Sequence, residues 1–233
     1  MTDTKNPDRW CFTWDPTDVP GSGATKAALA KKNKWAKSSV INVGFLDGDK
    51  DVQARIKAAV KEWTAPDTAQ LRFVFLNDAK KADVRISFTR KGSWSTIGTS
   101  CKTVASDQPT MNFGWLNANT DNQELRRVVL HEFGHALGLI HEHQNPAKPI
   151  PWNKEQVRKD LMGAPNNWSE EVVQTNMFDA YAKSETNYTS VDTKSIMMYP
   201  IPASWVTDPK FIAGFNDDLS PTDRTFILKQ YPK

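Results

Sequence analysis

All four histidines of this 233-residue chain, His131, His135, His141 and His143, fall within thirteen consecutive positions. Any chemistry that needs imidazole has to be built from that window, and the fold has to present it. His131-Glu132-Phe133-Gly134-His135 sits in a run whose apolar residues, Val128, Val129, Leu130, Phe133 and Leu137, recur with helical spacing. Residues i and i+4 of a helix share a face, so His131 and His135 can grip one ion. Glu132, rotated by about 100° from His131, is a neighbour of that ion and not its natural third ligand. Its carboxylate is suited to taking a proton from metal-bound water.

Gly138 sets where the helix stops. A helix that ends at a glycine can turn through a left-handed conformation, which returns His141 from the following loop to the same ion. Three neutral imidazoles select zinc among common biological metals. With three protein ligands a fourth position stays open to water, the pattern of a catalytic and not a structural zinc. His143 is expected near the site or at the surface, not as a ligand.

Composition narrows the remaining classes. Lys plus Arg total 30 against 27 Asp plus Glu, a net charge of +3. The densest basic cluster, Lys31, Lys32, Lys34 and Lys37, brackets one aromatic residue, Trp35, so nucleic-acid binding is not expected. No apolar run approaches the ~18 residues that cross a bilayer, and no membrane association is expected. The opening MTDTKNPDRW lacks the basic-then-apolar pattern of a signal peptide. Cys11 and Cys101 permit one disulfide at most, or two free thiols.

Residues 1–33 read as an N-terminal extension, broken by Asp15-Pro16, Val19-Pro20 and Gly21-Ser22-Gly23. From residue 34 the texture is that of a packed domain running to 233, with an upper lobe over 34–140 and a lower lobe over 141–233. Strands are expected at 40–46, 71–76, 84–88 and 110–115, with Arg85 and Ser87 facing away from Val84, Ile86 and Phe88. Amphipathic helices are expected at 51–63 and from 121 to about 138, the latter opened by capping boxes at Thr120 and Asp121. Gly92–Gly98 reads as a turn. Beyond 140 the chain is irregular, with short helices near 154–161 and 169–177 and a last helix opened by Ser220-Pro221. The run Asp47-Gly48-Asp49-Lys50-Asp51 reads as a turn and helix N-cap and not a calcium loop. This order of elements implies an α+β fold.

The full run HEFGHALGLIHE resembles the HExxHxxGxxH signature of the metzincin metalloproteases, and Glu142 points to their astacin-like branch. Ser195-Ile196-Met197-Met198-Tyr199 is similar to that branch's SxMxY Met-turn. Trp35 with the Val-Ile-Asn-Val strand, Gly92–Gly98, and Leu219–Asp223 extend the resemblance over most of residues 35–233. Ser93, standing where the family's loop has a half-cystine, and the presence of only two cysteines fit a divergent, microbial-type member. The resemblance implies a zincin-like fold: a twisted mixed sheet and zinc helix above, a mostly irregular lobe with a terminal helix below, and a cleft between. It implies Met197 as an apolar floor beneath the zinc and Tyr199 as a fifth, displaceable zinc ligand whose hydroxyl can stabilise an oxyanion. Glu142 is expected behind the ligands.

The expected activity is that of a zinc-dependent endopeptidase, with Glu132-assisted attack of zinc-bound water on a peptide carbonyl. The alternatives are a narrow-specificity peptidase acting on short peptides and a silent zinc-stabilised binding module. The partner is a protein or peptide substrate, expected to lie along an edge strand; Thr110–Gly114 is the candidate edge. Arg158, Lys210 and Arg224 are candidates for a pocket that prefers acidic residues. A monomer is expected, and export is expected for a broad protease. Residues 1–33 either pack along the domain, with Cys11 free or bridged to Cys101, or block the cleft, through Cys11 as a zinc-bound thiolate or through Asp15 in a motif that imperfectly resembles the family's pro-segment aspartate.

Overall fold

The computed structural model describes the backbone of residues 11–13 and residues 32–147, 149–164, 166–180, 187 and 189–232. The expectations for the Cys11 thiol and for Asp15 lie outside the described residues.

Six strands form one mixed sheet: β1 (Cys11–Thr13), β2 (Val40–Phe45), β3 (Arg72–Leu76), β4 (Val84–Ser87), β5 (Ser93–Ser95) and β6 (Met111–Phe113). Their order is β1-β5-β6-β4-β2-β3. β5 and β6 are antiparallel, while the other neighbouring pairs are parallel. The fold is α+β. Helices α1 (Lys50–Val60) and α2 (Asn122–Ala136) pack beside the sheet. Asp49 caps α1, accepting from the Asp51 and Val52 amides, and Asp121 caps α2, accepting from Glu124. Asp47 accepts from the Ser87 hydroxyl and the Phe88 amide, so the acidic run is turn and cap, as its sequence implies.

Two local readings are corrected by long-range pairing, and one residue gains an unforeseen role. The Gly92–Gly98 segment is not simply a turn, because it contains β5. Strand β6 is consequently hydrogen-bonded on both sides and is not an edge; β5 stands outside it and carries β1 in parallel register, Cys11 opposite Ser93. Arg85, on the face away from Val84 and Ile86, is itself buried. Its guanidinium is buried and donates to the carbonyls of Ala82, Asp83, Val104, Ala105 and Gln108, so it ties down the loop that covers the second face of the sheet.

Beyond α2 come the short helices α3 (Lys154–Met162) and α4 (Glu170–Val173), a π-helical turn at Gln174–Phe178, and α5 (Pro221–Gln230). Two apolar clusters form. The first holds the sheet side of α1 and α2 together with Ile196, Met197, Leu219, Ile227 and Tyr231. The second gathers Ile150, Val157, Leu161, Val173, Met177, Met198 and Tyr199. The boundary between the clusters passes between Met197 and Met198. Cys101 is a free, buried thiol. Among the described residues no helix is long and apolar enough to cross a membrane.

Candidate active site

Helix α2 buries His131, Glu132 and His135 on its inner turns. Its last carbonyls are closed by side chains from both ends of the domain. The Trp35 indole N–H donates to Ala136 O at 2.8 Å, and the Tyr231 hydroxyl donates to Leu137 O at 2.6 Å. These contacts satisfy acceptors that a helix end otherwise leaves without partners. Gly138 then adopts φ +95°. Its N–H donates to His135 O at 2.8 Å and the Leu139 N–H to Gly134 O at 3.0 Å, the two bonds of a Schellman motif.

This turn places two further groups. The Leu139 carbonyl lies 2.8 Å from His135 Nδ1, and the chain returns His141 so that its Nε2 is 3.2 Å from His135 Nε2. His131 Nε2 is likewise 3.2 Å from His135 Nε2, and its Nδ1 is 2.7 Å from Ile196 O. A carbonyl only accepts, so the protons of His131 and His135 reside on Nδ1 and their Nε2 lone pairs point into the cluster. Burial pushes all three imidazoles below their ordinary pKa, His135 to about 4; His131 and His141 lie well below, with His135 as a further cause. Three neutral rings with donor atoms within 4.8 Å of one another fit one zinc ion, which requires deprotonated nitrogen donors.

The Met-turn lies beneath α2. A Cβ at Gly134 would collide with the Met197 sulphur and come within 3.2 Å of the Trp63 ring; glycine inside HEFGH is what lets the methionine approach. Asp223 of α5 anchors the turn. Its carboxylate accepts from the Ser195 hydroxyl (2.7 Å), the Ile196 amide (2.8 Å) and the Ser220 amide (2.9 Å). A line of hydrogen bonds thus runs from the terminal helix through residue 196 to His131. In sequence, Ser220 and Asp223 read only as a helix start, and their local spacing carries no sign of this second contact.

The Tyr199 ring sits 4.3 Å from the His141 ring and 6.3 Å from that of His131. Glu142 is largely buried and accepts from Asn145 and from the Asp192 amide, and burial pushes its carboxyl up to about 7. His143 is buried and not at the surface. The three candidate pocket cations are instead engaged with carboxylates: Arg158 with Glu170, Lys210 with Asp208, and Arg224 with Glu62, Asp67 and Asp218.

An α+β fold with three convergent imidazoles on a helix and the loop after it, together with the family match over most of the chain, makes this a zinc-dependent peptidase, a hydrolase of peptide bonds. The model of the astacin peptidase family matches residues 27–231, and the chain belongs to this family. A structure of myroilysin matches at 40% identity with a TM-score of 0.83, covering 88% of this chain and 98% of that one. A crystal structure of myroilysin matches at 36% identity with a TM-score of 0.68, covering 97% and 92%. The high choriolytic enzyme 1 of the medaka fish Oryzias latipes, a hatching enzyme zinc-protease, shares the fold at 20% identity with a TM-score of 0.59, covering 84% of this chain and 92% of its own. No curated protein sequence matches significantly.

Proposed function

We propose that the chain cleaves internal peptide bonds of proteins with His131, His135 and His141 holding the zinc and Glu132 as general base. The observation that carries this reading is the convergence of the three Nε2 atoms beside a fully buried Glu132 on the same helix. When bound, zinc supplies a water of lowered pKa, about 7, and polarises the scissile carbonyl. Glu132 takes the proton of the attacking water and delivers it to the leaving amine nitrogen. Tyr199 would be a further, displaceable ligand to that zinc, and its hydroxyl would donate to the oxygen that gains charge in the tetrahedral intermediate. Met197 fills the space under Gly134 and keeps that floor dry.

The substrate adds to the outer side of β5, making backbone hydrogen bonds as one more strand. Residues 1–33 act as a pro-segment, a reading supported by β1, which takes that edge in parallel register. A substrate pairing antiparallel to β5 would run the opposite way and compete for the same backbone groups. The active form is a monomer and is exported.

Casein cleavage by the full chain and by a chain starting at Lys34, each with and without a zinc chelator, tests this. Chelator-sensitive cleavage that is faster in the shorter chain is expected. Equal rates would remove the pro-segment role, and no cleavage by either zinc-loaded chain would contradict the endopeptidase reading.

A further inference from the structure

We propose that His143 is a positioning residue for Tyr199, holding the phenol ring where it meets the metal and where it returns after each turnover. The inference rests on the reading of Tyr199 as a displaceable ligand. His143 is neither a ligand nor a group that touches substrate.

The rings of His141, His143 and Tyr199 form a triangle in which Tyr199 is nearest to both imidazoles. Their centroids are 4.3 Å apart for His141 and Tyr199, 4.5 Å for His143 and Tyr199, and 5.3 Å for His141 and His143. His143 lies 28° from the plane of Tyr199, an offset stack, whereas His141 is tilted by 53°. The imidazole therefore supplies the flat wall against which the phenol rests. The edge of Trp152 backs it at 6.2 Å.

The wall is itself fixed. His143 Nε2 lies 2.6 Å from the Asn176 carbonyl in the π-helical turn, so that nitrogen carries the proton. The neighbouring Gln144 amide donates to Thr175 O and Asp179 O on the same segment. Two consecutive side chains thus lace the Glu142–Gln144 turn to residues 175–179, and the ring cannot tip without breaking a buried hydrogen bond. The other ring nitrogen, His143 Nδ1, is buried and has no hydrogen-bond partner among the described residues. A ligand that must leave and return needs its resting place defined by something other than the metal, and small displacements of a catalytic group cost large factors in rate.

The test uses the copper(II)-substituted protein in a Cys11→Ser background, where a phenolate-to-copper charge-transfer band reports Tyr199 and no thiolate contributes. His143→Ala is expected to shift or at least halve that band. In the zinc form it should lower kcat about tenfold with KM within twofold. His143→Phe, which keeps the stacked wall but not the bond to Asn176, should restore part of both. Leu161→Ala empties the same lower core from α3 and should lower the melting temperature while leaving the band unchanged. A band and kcat unaffected by His143→Ala, or no rescue by His143→Phe, or an equal loss in Leu161→Ala, would overturn the positioning role. A parent protein with no band, indistinguishable from Tyr199→Phe, would instead overturn the ligand reading of Tyr199 and the role of His143 with it.

Discussion

Replacing Gly138 by alanine separates backbone conformation from steric fit. At φ +95° an L-residue carries a conformational cost of about 1–2 kcal/mol. Among the described residues a Cβ there would meet Tyr231 Oη at 3.7 Å and Asn33 O at 3.8 Å, ordinary contacts, so no collision with them adds to that cost. The strain can be relieved only by giving up the Schellman turn. That would move the Leu139 carbonyl from His135 Nδ1 and carry His141 away from the other two ligands. The apoprotein can relax in this way, but the zinc-bound protein cannot, so the cost appears in metal affinity. At about 1.4 kcal/mol per factor of ten, zinc binding should weaken roughly tenfold. Titration of the apoprotein against a chromophoric chelator measures this directly. Gly138→Asn should fall between the two, because Asn tolerates the left-handed region better. Wild-type affinity in Gly138→Ala, or equal losses in the Ala and Asn variants, would refute the argument that this turn delivers His141.

Gly134→Ala should destabilise the protein by about 1–3 kcal/mol through overpacking against Met197, partly offset by about 1 kcal/mol of helix propensity. In a Met197→Ala background the same change should become stabilising, and calorimetric melting of the four proteins gives the coupling. Burial pushes the Cys101 thiol up to about 12, so in a Cys11→Ser background the folded protein should resist thiol reagents at pH 8 and react only on denaturation. Above pH 9 the unfolded thiol ionises while the folded one does not, so Cys101 withdraws stability as pH climbs toward 12. Melting curves of Cys101→Ala should therefore be flatter over that range.

The metal site was the most legible part of this chain because its rules are local. Spacing on one helix pairs His131 with His135, and Gly138 explains His141 through a turn only a few residues long. The helices from 50 and 122 followed from caps at Asp49 and Asp121 and from apolar spacing. Three features were hidden because they depend on partners distant in sequence. Strand β5 is a short segment with Gly92 before it and gains its strand character from β6 and β1. Arg85 looks like an outward-facing residue on an alternating strand until five carbonyls, three of them from residues 104–108, are folded over it. Asp223 looks like half of a capping box, yet its carboxylate also holds the Ile196 amide of the Met-turn.

The central claim is that one zinc held by three histidines works with Glu132 as the base. Zinc content and turnover of Glu132→Gln, measured on a single preparation, test it most directly. One zinc per chain is expected, as in the unmodified protein, with kcat lowered by a factor of about 10²–10⁴. Turnover within a few-fold of the unmodified enzyme at full zinc occupancy would contradict it.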